Sequence, residues 1–106
     1  MERDIYIQNN WSAQDAALLK AEFALYNHRA VVRFACDCAE RACQRATADN
    51  RAYAAFLAGR GWADGRMSVA DARAAAFAAH EAARGAVTPV SQFACRSAGH
   101  AAATAH

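Results

Sequence analysis

Along most of the chain, apolar residues recur at the three- and four-residue spacing of an α-helix rather than at the alternating spacing of a strand. The first such segment has its apolar positions at Ala17, Leu18, Ala21 and Leu25. Ser12 precedes it, with Asp15 three residues later, and this pair resembles a capping box. Asn27 and His28 interrupt this apolar spacing weakly. We therefore predict a first helix that ends or bends there and a second helix over about residues 29–46.

The second half of the chain carries clearer start and stop signals. The candidate caps are Asp49, Gly65, Ser68 with Asp71, Gly85, and Thr88 with Pro89. They bound three further helices, over about residues 50–64, about residues 68–84, and from about residue 88 toward the chain end. The fold class predicted is all-α, a compact alanine-rich bundle of about five helices.

A chain of 106 residues has the length of one domain. We predict that residues 1–10 form an N-terminal leader, in which only 4–8 alternate like a strand, and that 11–106 form a single helical domain. Ala, the best helix former, accounts for 32 residues, but each buries little surface. The large apolar residues should therefore supply most of the core. They are Phe23, Leu25, Val32, Phe34, Phe56, Leu57, Trp62, Val69, Phe77, Val90 and Phe93.

The charge pattern and the hydropathy limit the function classes. The net charge is only +2, and basic and acidic residues are mixed, which argues against a nucleic-acid-binding protein. The first twenty residues lack the apolar core of a secretory signal, and no apolar stretch of the length that crosses a membrane is free of charge. We expect a cytoplasmic protein whose four Cys stay reduced.

Three of the cysteines invite interpretation as a metal site, which helix geometry disfavours. Cys36 and Cys38 would lie about 200° apart around a helix, so both cannot face one ion. Cys36 and Cys43 share a face but would lie about 10.5 Å apart along the axis, too far for a disulfide. Small buried thiols are the favoured interpretation; zinc or a disulfide that includes Cys95 stays open.

His80 and His100 are the remaining candidates for metal ligands. They lie on the last two predicted helices, which a short link makes antiparallel neighbours. The two side chains could pair, hydrogen-bond in the core or bind a metal, and we favour a structural role because no carboxylate or Cys lies in register. No catalytic arrangement of side chains and no phosphate-binding loop has support in the sequence. We therefore expect neither an enzyme nor a cofactor.

Arg33, Arg41 and Trp62 are the candidate binding residues. The two Arg belong to a row of charged positions four residues apart on the second predicted helix, which could face an acidic partner. Asp37 and Glu40 dilute this row and favour a solvated surface. Trp62, just before a helix end, is favoured as a core plug over an exposed anchor for a partner.

Three segments resemble an all-helical family of bacterial immunity proteins from polymorphic toxin systems. They are ACDCAER at 35–41, AGRGWADGRMSVADARAAAFAAH at 58–80 and AGHAAATAH at 98–106. The family pattern has Trp and Gly at one helix end, a Ser-capped helix that reaches Ala-Ala-His, and a final His-containing segment. The resemblance spans about residues 30–106. It implies a protein that neutralises a secreted bacterial toxin by stoichiometric binding, and it brings no catalytic residues.

Two departures from the family bear on the partner. Family members continue beyond the final His-containing helix with a further apolar stretch, whereas this sequence ends at His106. The fifth helix could then expose an apolar face that a second copy covers, so a homodimer or a self-associating structural module stays open. The charge of +2 is not the acidic balance of an inhibitor of a basic nuclease, so we expect another toxin class or a mainly apolar contact. A metal-binding helical domain that uses His80 and His100 is the alternative function.

Overall fold

The computed structural model describes residues 12–106. It contains four helices: α1 Ala13–Gln44, α2 Asn50–Ala63, α3 Val69–Gly85 and α4 Pro89–Ala103. This part of the chain has no strand, so the all-α prediction is confirmed, although with four helices instead of about five. The leader predicted for residues 1–10 lies outside the described residues. Within residues 12–106, no helix combines the length and the apolar character needed to cross a bilayer.

The prediction that a helix ends at Asn27–His28 and a second one begins there is wrong, because α1 runs through these residues as one helix of 32 residues. Asn and His each cost at most about 0.7 kcal/mol relative to Ala in a helix, and both keep the backbone N–H. The His28 side chain also has tertiary partners. Its Nε2 lies 2.5 Å from the carbonyl oxygen of Thr104, and its ring centroid lies 4.6 Å from that of Trp62. These contacts outweigh a weak local preference.

The helix ends follow the predicted signals closely. The N-cap side chains that accept a backbone N–H bond are those of Ser12, Asp49, Ser68 and Thr88. At the other end of α2, Gly65 adopts a φ of 76°, and its N–H donates to the carbonyl of Trp62 at 3.0 Å. The N–H of Arg66 donates to the carbonyl of Gly61 at 2.8 Å. This pair of bonds is a Schellman motif, which requires the left-handed conformation that Gly adopts without strain.

Helices α2 and α4 form the centre of the bundle, because each contacts the other three helices, whereas α1 and α3 make no contact with each other. Helices α1 and α4 are antiparallel, since His28 contacts Thr104 at one end of the pair and the Cys43 thiol lies 3.9 Å from the Ala94 carbonyl at the other. Residues 13–27 of α1 extend past this pair, and every one of them is exposed.

Alanine and cysteine, and not the large apolar residues, form most of the core. The buried residues other than Ala and Gly are Val32, Cys36, Cys43, Phe56 and Cys95. Seven of the expected core residues are instead exposed, namely Phe23, Leu25, Phe34, Leu57, Phe77, Val90 and Phe93. The reason is steric: stripes of Ala bring the helix axes together, so the space between helices holds few larger side chains.

Candidate functional site

The structure places Arg33, the first candidate binding residue, in a contact within the bundle. Its Nη2 donates to the carbonyl of Ala63 at 2.9 Å and to Oδ1 of Asp64 at 3.1 Å. These acceptors form the C-terminal end of α2, where a cation is favourable because the last carbonyls have no partner within the helix. Arg33 therefore ties α1 to the end of α2 and is only partly available to a partner.

Trp62 is half-buried and packs against the core. Its ring is tilted by 55° against the His28 ring, which in turn reaches the Thr104 carbonyl. This cluster joins α1, α2 and the end of α4. Its position is that of a core plug at one end of the bundle.

Arg60 is an organising residue that the sequence interpretation missed. Its Nη2 donates to Oδ1 of Asp37 and to Oε1 of Glu40, both at 2.7 Å, and its guanidinium lies 5.2 Å from the centroid of the Phe56 ring. The hydrogen bonds to these two carboxylates raise the pKa of Arg60. The i,i+3 spacing of Asp37 and Glu40 on α1 could have indicated that one cation binds both.

The arrangement has a consequence for the charge of α1. Asp37 and Glu40 were expected to dilute the row of Arg side chains on this helix. Arg60 instead engages both carboxylates at the α1–α2 junction. Arg41 stays exposed, and Arg45 follows it by four residues, one helical turn further along the chain.

A shallow groove runs between the antiparallel helices α1 and α4. One half, of about 500 Å³, is lined by Phe34 and Cys38 from α1 and by Phe93, Arg96 and His100 from α4. The other half, of about 340 Å³, shares Phe93. Its remaining lining residues are Ala42, Arg45, Pro89, Val90 and Ala94. We call the two halves together the α1–α4 groove.

The aromatic side chains of this groove face solvent. Phe34 is 70% exposed and Phe93 is 72% exposed. On α1 the buried stripe passes through Val32 and Cys36, and Phe34 lies between them in sequence and so points to another side of the helix. The signal available in the sequence was this second apolar stripe beside a stripe of small residues. The sequence interpretation assigns these rings to the core because each Ala buries little surface, so the large apolar residues were expected to supply the rest.

The charged residues beside the α1–α4 groove are basic. Arg45 and Arg96 line it, and Arg41 lies one turn from Arg45. Helix α4 contains no Asp or Glu. Within residues 12–106, none of these three Arg forms an ion pair. The groove therefore combines exposed apolar side chains with Arg side chains that have no ion-pair partner in the described part of the chain.

His80 and His100 do meet, with ring centroids 4.8 Å apart. Gly99 provides the space for His80, because a β-carbon at Gly99 would lie 2.8 Å from two atoms of that ring. Burial, and then the nearby His100, Arg84 and Arg96, lower the pKa of His80. Within residues 12–106 no third His, Cys, Asp or Glu joins the pair in a cluster that could hold a metal. The pair therefore offers two nitrogen ligands at most, with cations beside them.

The four cysteines are free thiols. Cys36, Cys43 and Cys95 are buried and Cys38 is exposed at the α1–α4 groove. Burial raises the pKa of Cys36 to about 11 and also raises that of Cys43. Cys36 and Cys43 are therefore protonated at neutral pH and act as small apolar packing groups.

Comparison with known proteins places the chain in a family. No curated protein and no solved structure matches it. The family model described as "Imm-5 like putative immunity protein" matches residues 21–106, which include all of α2, α3 and α4 and most of α1. This match covers most of the chain and agrees with the resemblance noted for residues 30–106. The chain therefore belongs to the Imm-5 like putative immunity protein family.

Proposed function

We propose that this protein protects a bacterial cell by binding a toxin stoichiometrically, without catalysis. The observation that carries the proposal is the family match over residues 21–106. The surface supports it, because exposed apolar side chains that cluster on a small protein are typical of sites that bind another protein. The proposal places the protein in the cytoplasm, where a toxin with an intracellular target would have to be met.

Co-expression with the protein encoded by the neighbouring gene tests this function. The toxin is induced alone, with this chain, or with an unrelated helical protein of similar size, and colony survival is counted. Rescue by this chain alone, together with a complex of equal stoichiometry on size-exclusion chromatography, is the expected result. A toxic neighbour that kills equally well in the presence of this chain would contradict the proposal.

Metal binding at His80 and His100 is the second candidate function. The observation in its favour is the 4.8 Å separation of the two rings. Two imidazoles can hold a transition-metal ion when water or another group completes the coordination. Elemental analysis of untagged protein tests this function. An occupancy near one metal ion per chain would support it, because a dedicated site fills stoichiometrically, and an occupancy below about 0.1 ion per chain would contradict it.

A further inference from the structure

We propose that the α1–α4 groove is the surface that docks the toxin, and that the toxin presents an apolar segment flanked by acidic side chains. This inference rests on the proposed function and specifies its contact surface. It also differs from the site predicted from the sequence, since Arg33 and Trp62 lie in contacts within the bundle and only Arg41 lies near the groove.

Exposed apolar side chains line the α1–α4 groove. Phe34 and Phe93 come from different helices, and Phe93 lines both halves of the groove, so the two halves adjoin at this ring. Aromatic anchors that lose most of their exposure in a complex dominate binding at many protein interfaces. The folded chain leaves both aromatic rings in water, whereas it buries Ala and Cys in the core.

The positive charge along the edges of the groove determines which charge the partner should carry. Arg45 and Arg96 line the groove with no acidic residue of α4 beside them, and Arg60 already engages the two carboxylates of α1 nearest to the groove. Complementary charge would therefore come from Asp or Glu on the partner. A second copy of the chain would bring a groove with the same positive edges, which disfavours self-association through this surface.

The length of the groove sets the size of the segment that it can hold. It extends along α4 from Pro89 to Thr104, which corresponds to about 22 Å at the rise of an α-helix. A helix of about four turns, or an extended segment of six to seven residues, spans that distance. Insertion of an amphipathic segment between two helices is an established mode of protein recognition.

The test compares groove variants with matched variants on α3. Phe93→Ala and the charge reversal Arg96→Glu alter the groove. Phe77→Ala and Arg73→Glu make the same changes on the exposed face of α3, where Phe77 is 66% exposed. All four positions are exposed, so thermal melts of the variants should match that of the wild type. Phe34→Ala provides a second apolar variant if Phe93→Ala fails to fold.

Affinity for the toxin encoded by the neighbouring gene is measured by calorimetry at two salt concentrations. We expect Phe93→Ala and Arg96→Glu each to raise Kd by about tenfold or more, and the α3 variants to change it by less than about twofold. Arg96→Glu should also reduce the salt dependence of binding, because it removes a screened attraction. Groove and α3 variants that bind equally well would overturn the groove while leaving the proposed function in place.

Three other outcomes would also overturn the proposal. A wild-type chain that neither binds nor protects removes both the groove and the proposed function. Phe93-dependent binding to vesicles of phosphatidylcholine and phosphatidylglycerol, or to a 20-base-pair DNA duplex, would assign the groove to an anionic surface that is not a protein. A dimer on sedimentation that Phe93→Ala dissociates would assign it to a second copy.

Discussion

Gly59 in α2 faces Cys36 in α1 so closely that a β-carbon on Gly59 would lie 2.6 Å from the Cys36 Sγ. The same β-carbon would lie 3.5 Å from the Ala102 Cα in α4, so three helices converge at this glycine. Sequence propensity treats Gly59 only as a weak point in α2. The contact shows instead that absence of a side chain permits the close packing of α1 and α4 against α2.

Gly59→Ala should therefore destabilise the fold although Ala is the better helix former. The gain of about 1 kcal/mol in helix propensity is outweighed by overpacking, which typically costs about 1–3 kcal/mol. Gly85→Ala is the matched control, because a β-carbon there would meet nothing within 4 Å. Urea unfolding should show a lower midpoint for Gly59→Ala and an unchanged or higher midpoint for Gly85→Ala. A midpoint that rises in both variants would contradict the packing argument.

Thiol labelling should distinguish Cys38 from the other three cysteines. Cys38 is exposed, whereas Cys36, Cys43 and Cys95 are buried and the pKa values of Cys36 and Cys43 are raised by burial. Iodoacetamide at pH 8 should label one thiol per folded chain quickly, and Cys38→Ser should abolish that fast phase. Denatured protein should then show four reactive thiols. Only two reactive thiols after unfolding without reductant would establish the disulfide that the sequence left open.

Protonation of His80 should make the stability of the fold depend on pH. The pKa of His80 is lowered in the folded protein. As the pH falls below the usual His value of about 6.5, His80 is therefore protonated in the unfolded chain at a higher pH than in the folded chain. Stability is therefore lost as pH falls from 7.5 to 5.5. The carboxylates of Asp49 and Asp64 have lowered pKa values and act only in more acidic solution.

Substitution of His80 checks the origin of this pH dependence. His80→Gln should make the urea midpoints at pH 7.5 and pH 5.5 more alike than in the wild type. His106→Gln, at an exposed position near the chain end, should leave the difference unchanged. Equal pH dependence in the wild type and in His80→Gln would show that other groups cause the loss.

The sequence predicted the helix ends more successfully than the core. Capping by Ser12, Ser68 and Thr88 is a local interaction, and the structure has it at each of these positions. Burial is not local: Phe93 and Val32 are both apolar, yet only contacts between helices decide that Val32 is buried and Phe93 is exposed. Hydrophobicity alone therefore could not separate the Ala and Cys stripe that packs from the aromatic stripe that faces water.

The candidate site shows the same difference between features that are local in the sequence and features that depend on helix packing. The short link between two helices predicted that the helices of His80 and His100 are antiparallel neighbours, but it left open whether the two side chains meet, as they do in the structure. The bonding of Arg33 to the end of α2 and of Arg60 to α1 joins residues 20 to 31 positions apart. Such pairs depend on how the helices pack, so charge spacing within one helix could not identify which Arg remain available.

Arg60 and Arg66 both bind carboxylates, but they do so in different surroundings. The Arg60 side chain is 24% exposed and covers the ring of buried Phe56, whereas the Arg66 side chain is 73% exposed and pairs with Asp64. Arg60→Ala should lower the free energy of unfolding by about 1–2 kcal/mol, from two partly screened ion pairs and a cation–π contact. Arg66→Ala should lower it by less than about 0.5 kcal/mol. Urea unfolding measures both, and equal effects would show that contact with Phe56 and the second carboxylate contributes nothing to stability.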